Sequence, residues 1–498
     1  MAERIAVRRN QYADSVALMQ VSRAVTELPE VQAALVAMAT ELNLELLAGM
    51  GFESPPVESA NELLIAIRAS DEAALTAAFE RAERMLDAPA GAGSAPAAGE
   101  LPPRTVGSAA NRVGPGLAVI SVPGQHAFVE AMDALEAGCD VLLFSDNVPL
   151  AQEIALKDAA TERGLLVMGP DCGTAVVGGI GLGFAHTLTA GPVGVLAASG
   201  TGAQQVLCLL DAAGVGITAA LGVGGRDLSA EVAGRSTRTA LAMLDADPAT
   251  ELILLVSKPP AEQVAAELRA AATRLSTPTR FALLGVGEPD LTAAVEQALT
   301  ALGVPVPAWP SWPREPSRPQ EPRDPQADRE QSGALRGLFC GGTLCDEAML
   351  LASATLGEIR SNIPLRPDWA LPDPLEPSAG HWMVDFGDDA LTRGRPHPMI
   401  DPTLRDQQLR RALADPATGV VLADVVLGHG AHPDPAAGLL PILESAEVPV
   451  VLSLIGARQD PQDVYGTAER LHEGGASVFF SNAAATRHAL ALLAGRDG

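Results

Sequence analysis

The sequence predicts an α/β protein of several domains, doubly wound around parallel sheets, and three observations predict it. Ala, Leu, Val and Gly dominate while aromatic residues make up only 3%, a composition suited to helices packed closely on parallel sheets. From about residue 105 onward, short apolar runs alternate with helix-like stretches, the signature of parallel winding. One pattern is also written twice, from Gly191 to Pro260 and from Ala334 to Pro435. A chain of 498 residues accommodates roughly three or four domains on the usual size range.

Residues 1–87 alternate strand-like and helix-like pieces: Ile5 to Val7, Asp14 to Leu28, Val31 to Met38, Asn61 to Ile67 and Asp71 to Leu86. With Asp14 and Asp71 placed as helix caps, this order predicts a small split βαβ domain. The Ala-, Pro- and Gly-rich run 88–104 reads as a flexible tether. The unit 105–190 opens with strand Leu117 to Val122, helix Ala127 to Ala137, strand Val141 to Phe144, a helix to about Arg163 and strand Leu165 to Met168. The first copy of the repeat occupies 191–305 and the second 333–498. Between them, in 306–332, prolines recur at every third position from Pro307 to Pro325, a period that matches polyproline II and predicts a stiff charged spacer.

The formal charge of −27 argues against nucleic acid and against an anionic membrane surface as partners. An anionic substrate must then be held by local N–H groups and a few cations. Five cysteines without a CxxC speak against a disulfide framework or zinc ribbon. No signal-peptide core and no membrane-length apolar run is present, so a cytoplasmic protein is expected.

In the first repeat copy, strand Val193 to Ala197 meets Ser199-Gly200-Thr201-Gly202 and a helix, followed by Gly224-Gly225-Arg226-Asp227, by Asp247-Pro248-Ala249-Thr250, and by strand Leu252 to Val256 ending at Ser257-Lys258. The second runs through Gly341-Gly342-Thr343, Asp385 to Asp389, Asp415-Pro416-Ala417-Thr418 and strand Val420 to Leu427, ending at Gly428-His429-Gly430-Ala431-His432. A strand entering a Gly-Thr turn and then a helix presents unpaired N–H groups and the positive dipole end to an anion. Two such turns predict a pseudo-twofold pair of anion sites facing one ligand. Tight packing alone also accounts for a strand-Gly-helix turn.

The pieces VPGQHAFVEAMDAL, LFSDNVPLAQEIALK, LLVMGPDCGTAVVGGIGLGFA, ASGTGAQQV, GVGGRDLS, LVSKPP, GGTLCDEA, HPMIDPTLR and GHGAHPDP together resemble the FdrA family, over about residues 1–490. Its members look like a fusion of the succinyl-CoA synthetase α-chain with the C-terminal domain of the β-chain. The resemblance implies a Rossmann-like CoA-binding-type domain in 105–190 and two flavodoxin-like CoA-ligase domains, in 191–305 and 333–498. The synthetase phosphohistidine loop corresponds to about Leu284 to Thr292, which contains no histidine. The ATP-grasp module and the glycine-rich first turn of the CoA site have no counterpart here. The family is also associated with oxamate carbamoyltransferase, which turns oxalurate and phosphate into oxamate and carbamoyl phosphate. The resemblance therefore implies a carbamoyltransferase subunit in a multi-protein complex, with phosphate as a substrate and no certain cofactor. The alternatives are an acyl-CoA synthetase using CoA with a separate ATP-grasp partner, and a non-catalytic anion-binding scaffold subunit; a homo-oligomer is compatible with each.

Carbamoyl transfer to phosphate asks for dianion binding, carbonyl polarisation and protonation of the leaving nitrogen. The expected anion-binding residues are Ser199, Gly200, Thr201, Gly202, Gly225, Arg226, Asp227, Gly341, Gly342 and Thr343. Lys258 closes a strand where a switch-point crevice would place it, and Arg393, Arg395 and His397 form a second basic loop. His429 and His432, with Asp434 to orient one of them, are the candidates for proton transfer. No third ligand accompanies that HxxH pair, so no metal site is expected. Asp171, Cys172 and Gly173 form a further ligand loop, where a covalent role for Cys172 is the lesser expectation. Solvated tips, capped helices and core packing are the structural alternatives for all of these.

Overall fold

The computed structural model describes residues 2–9, 11, 13, 15–26, 28–53, 55–57, 59, 61–87, 102–314, 333–376, 379–393 and 395–495. It separates into two compact units, residues 1–104 with 393–396, and residues 105–392 with 397–498.

In the first unit, β1 (Ala2–Arg8), β2 (Val31–Met38) and β3 (Leu63–Ala69) form an antiparallel sheet in the order β1-β3-β2. Because β1 and β2 flank β3, the crossover through helix Ser15–Thr26 is the predicted split βαβ. Leu63, Ile65 and Ile67 on one face of β3 are fully buried against Leu18, Val25, Ala78 and Phe79 of the two long helices. Asp71 caps helix Glu72–Asp87 by accepting from the backbone N–H of Ala73 and Ala74, each at 2.9 Å. The other expected cap, Asp14, and most of the tether 88–104 lie outside the described residues.

The second unit starts with a parallel sheet of β4 (Leu117–Ile120), β5 (Asp140–Leu143) and β6 (Val167–Met168). Helices Gly124–Glu136 and Leu150–Arg163 supply the crossovers. The following hairpin, β7 (Thr174–Val177) and β8 (Ile180–Gly183), pairs onward into the next sheet, since Val176 bridges Ala220. That sheet adds β9 (Ala190–Ala198), β10 (Ile217–Gly222), β11 (Leu252–Ser257) and β12 (Thr279–Leu283) in the order β12-β11-β9-β10-β7-β8. The four parallel members follow the flavodoxin-like order 2-1-3-4.

The last sheet contains β13 (Ser311–Trp312), β14 (Ala334–Phe339), β15 (Ile359–Arg360), β16 (His381–Asp385), β17 (Thr418–Val426), β18 (Val450–Ile455) and β19 (Ser477–Phe479). Its order, β13-β19-β18-β17-β14-β16-β15, contains the same flavodoxin-like arrangement with a fifth strand. The start of the Pro-rich run is thus not a spacer but an edge strand, with Ser311 and Trp312 antiparallel to Phe479 and Val478. Proline is tolerated at a sheet edge, and the two non-proline residues between Pro310 and Pro313 supply the pairing groups. Residues 315–332 of that run lie outside the described residues.

One continuous apolar cluster passes through both repeats, from Val206 and Leu210 to Leu344, Met349 and Ala489. The two repeats therefore form a single packed body. Among the described residues no helix is long and apolar enough to cross a membrane.

Candidate functional site

The two Gly-Thr turns meet. Strand β9 delivers Ser199 in extended conformation, where its Oγ accepts from Gly202 N–H at 2.9 Å and caps helix Gly200–Ala212. The same hydroxyl donates to Thr343 Oγ1 at 2.6 Å, at the first turn of helix Gly342–Leu356, which no side chain caps. Glycine is required here by close approach. A Cβ on Gly341 would stand 2.5 Å from the Thr201 side chain, and one on Gly202 would stand 2.9 Å from Thr343 Cγ2. Gly200 faces open space, at the mouth of the joint. Two positive helix ends thus converge on one place.

Around that joint stand three carboxyl groups, of which the sequence reading singled out only Asp171. Asp385, at the end of β16, lies where a Cβ on Gly342 would be 2.9 Å from its Oδ2, and burial pushes its carboxyl up to about 8. Its Oδ1 accepts from Gly387 N–H at 2.9 Å, and Asn362 holds its backbone from the other side. Asp346, in the first turns of the second helix, is pushed up to about 7 by burial, with the positive charge of Lys258 working against the shift. Asp171, at a positive φ of 58°, is also pushed up to about 7 by burial and by repulsion from Asp389 and Asp146, partly offset by Lys258 and Arg226. Near neutral pH a carboxyl held at about 7 is about half protonated and one held at about 8 mostly protonated, and the protonated form can donate a hydrogen bond to an anion. The signal that would have found Asp385 is its position at the carboxyl end of a parallel strand beside the switch point.

Lys258, exposed one residue beyond β11, reaches this group, with its Nζ 3.8 Å from where a Gly225 Cβ would be. Arg226 is partly committed, donating to Val148 O at 2.7 Å and pairing with Glu153 at 2.9 Å. Asp227, grouped by sequence with the anion site, is fully buried. It accepts from Lys157 Nζ at 2.7 Å and from Ser236 N–H, Thr237 N–H and Thr237 Oγ1, which leaves no capacity for a ligand. Its role is to start helix Arg235–Ala246 and to neutralise a buried lysine.

Cys172 is buried, with Sγ 3.6 Å from Thr174 O and its thiol pushed up to about 12 by burial, so it stays a thiol at neutral pH. Gly173 accepts at its carbonyl from Phe184 N–H. The repeated Asp-Pro-Ala-Thr phrase serves the opposite sheet edge. Asp247 and Asp415 each accept from the N–H two residues on, at 3.1 and 2.9 Å, and form Asx turns that lead into β11 and β17. A concavity of about 730 Å³ at that edge is lined by Pro192, Thr218, Asp247 and Glu251 and contains none of the residues expected to be chemical.

The loop after β17 lies at the carboxyl edge, as predicted. His429 is exposed, with Nε2 3.0 Å from Thr187 Oγ1. His432 Nδ1 accepts from Asp434 N–H at 2.9 Å, so Asp434 orients this ring through its backbone. The Asp434 carboxylate itself caps helix Pro435–Leu443 and pairs with Arg470 at 3.1 Å. His397 packs on Phe184 with ring centroids 5.6 Å apart, and burial pushes it down to about 4, so it is neutral. Arg393 and Arg395 are exposed and belong to the segment grouped with the first unit.

Residues 1–102 match the AllF heavy metal-associated domain, and residues 338–492 match the CoA-ligase domain. Residues 1–104 contain neither Cys nor His, so the thiolate and imidazole donors of the usual soft-metal sites are missing from this segment. No group of three or more His, Cys, Asp or Glu that could hold a metal exists among the described residues. The succinate–CoA ligase [ADP-forming] α-subunit of Aquifex aeolicus is 28% identical over 31% of this chain and 51% of its own. The malate–CoA ligase α-subunit of Methylorubrum extorquens is 28% identical over 31% of this chain and 53% of its own. The chain thus spans about half the length of these ligase subunits. The dinucleotide forming acetyl-coenzyme A synthetase 1 of Ca. Korarchaeum cryptofilum overlaps 77% of this chain and 83% of its own at 17% identity, a loose superposition with a TM-score of 0.29. The protein YahF of Escherichia coli (strain K12) is 38% identical over 90% of this chain and 88% of its own. Identity at that level along almost the whole length means that the chain belongs to the FdrA-type family of YahF, built on a succinyl-CoA-synthetase-like CoA-ligase fold.

Proposed function

We propose that this protein is the acyl-CoA-synthetase-type component of an enzyme that handles a small carboxylic acid and phosphate, with a separate ATP-grasp partner. The observation that carries this reading is the joint at Ser199 and Thr343, where two helix N-termini meet beside Lys258 and three carboxyls raised toward neutrality. Two dipole ends and one ammonium favour a phosphate or acyl phosphate, and protonated Asp346 and Asp385 would donate to its oxygens. As negative charge develops on a leaving phosphate, donors already fixed in place stabilise it without reorganising. The relatives that carry an activity in their names are CoA ligases, which supports this reading over carbamoyl transfer.

The test is to purify the full chain with its co-expressed partner subunits and supply ATP, CoA and a panel of small carboxylic acids. Formation of an acyl-CoA thioester is expected. Carbamoyl phosphate from oxalurate and phosphate, with no thioester from any acid, would overturn the reading.

A further inference from the structure

His186 stands outside every motif that the sequence singles out. It follows the β7–β8 hairpin in a loop that runs beside helix Gly200–Ala212, where Gln204 Nε2 donates to Phe184 O at 3.3 Å. Its imidazole is only 3% exposed, and its Nδ1 lies 2.6 Å from Asp460 Oδ2 in the loop after β18 of the other repeat. Asp460 also accepts from Thr187 N–H at 2.9 Å and from Ala457 N–H at 2.7 Å. Burial opposes its ionisation, but the His186 ring and these N–H groups outweigh that and hold its carboxyl below the usual range. An ionised carboxylate only accepts, so the proton of the neutral ring sits on Nδ1 and Nε2 is a bare acceptor. That Nε2 is buried and has no hydrogen-bond partner among the described residues. Most buried side-chain polar atoms find a partner, and this nitrogen is among the few described ones that do not. Gly428, at a φ of 107°, presses its backbone against the ring: a Cβ there would stand 3.0 Å from Nδ1.

We propose that His186 and Asp460 form a proton-accepting pair where the loops after β8 and β18 meet. Nε2 takes a proton from an O–H or S–H group of a bound ligand, and Asp460 stabilises the imidazolium that results. The donor is the CoA thiol if the ligase reading holds, and the inference rests on that reading for this point alone. The titratable groups around the pair are Cys208 and Asp211 on the helix, Arg458, which binds Asp211 and Ala212, and His429 beyond Thr187.

The experiment is NMR of the full chain carrying ¹⁵N-labelled histidine, with the His186 ring assigned by loss in His186→Gln or by its change in Asp460→Asn. A protonated Nδ1 and bare Nε2 are expected, with Nε2 taking up a proton as pH falls while the fold persists. Asp460→Asn should change the Nδ1 resonance, because the carboxylate that fixes the tautomer is gone. Addition of CoA should shift the Nε2 resonance, whereas desulfo-CoA should not. A protonated Nε2 at all pH values, no titration in the folded protein, or an unmoved ring when calorimetry shows CoA bound would each overturn the pair. Failure of CoA to bind would sink the ligase reading instead, and the titration alone would then judge the pair.

Discussion

At the scale of single residues, the raised carboxyls link the site to stability. Asp385 has an ordinary value of 3.8 and is pushed up to about 8 in the fold. Between these two values the folded state holds a proton that the unfolded chain releases, so stability is full below about pH 4 and is lost as pH rises toward 8. Asp385→Asn removes this dependence. Thermal melts at pH 5 and pH 8 should show the variant gaining on the parent at pH 8, and an unchanged difference between the two pH values would rule this out. If protonated Asp385 also donates to the anion, phosphate affinity in the parent should fall as pH rises through about 8, where the folded carboxyl loses its proton, and should fall less steeply there in the variant. His432→Asn tests the chemistry expected of the loop after β17. It should reduce turnover about 10²-fold if that ring is the general acid, and turnover within about threefold of the parent would leave His429 and His186 as the imidazoles to test.

At the scale of elements, the two helix starts make opposite forecasts for one kind of substitution. Gly→Ala inside a helix ordinarily stabilises by about 0.5–1 kcal/mol. At Gly202 the added methyl would meet Ser199 Oγ at 2.4 Å and Thr343 Cγ2 at 2.9 Å, so Gly202→Ala should cost about 1–3 kcal/mol. At Gly200 it would meet nothing within 4 Å, and Gly200→Ala should be neutral or stabilising. Urea unfolding of both variants checks the contrast, and equal effects would deny that the turns are wedged together. The alternation of apolar runs, the turn residues and Asp71 as a cap made most elements legible in the sequence. The hairpin β7–β8 and the edge strand β13 were not, because their pairing partners lie in distant segments and local pattern says nothing about which sheet receives a strand.

At the scale of the whole molecule, the first unit has its own core around Leu63, Ile65, Ile67 and Phe79, while the repeats share one. A fragment of residues 1–104 should therefore fold cooperatively by itself, whereas residues 191–314 without the second repeat should not, because Val206, Leu209 and Leu210 would lose their cover. Circular dichroism melts of both fragments test this. The first fragment should also leave zinc and copper unbound at micromolar concentration, since it has no thiolate or imidazole to offer. Stoichiometric binding by mass spectrometry would contradict that.

The sequence by itself determined the α/β class, the split βαβ start, the order of most strands and helices, and the existence of two Gly-Thr turns in corresponding places, because periodicity, caps and turn residues act over a few neighbours. Only the tertiary structure decided that the two turns touch through Ser199 and Thr343, that Asp227 is spent on Lys157 while Asp346 and Asp385 stand at the joint, and that His186 meets Asp460 from the other repeat. Proximity between segments more than a hundred residues apart, and the burial that moves a carboxyl or bares an imidazole nitrogen, arise from packing of the whole chain and leave no trace in local pattern.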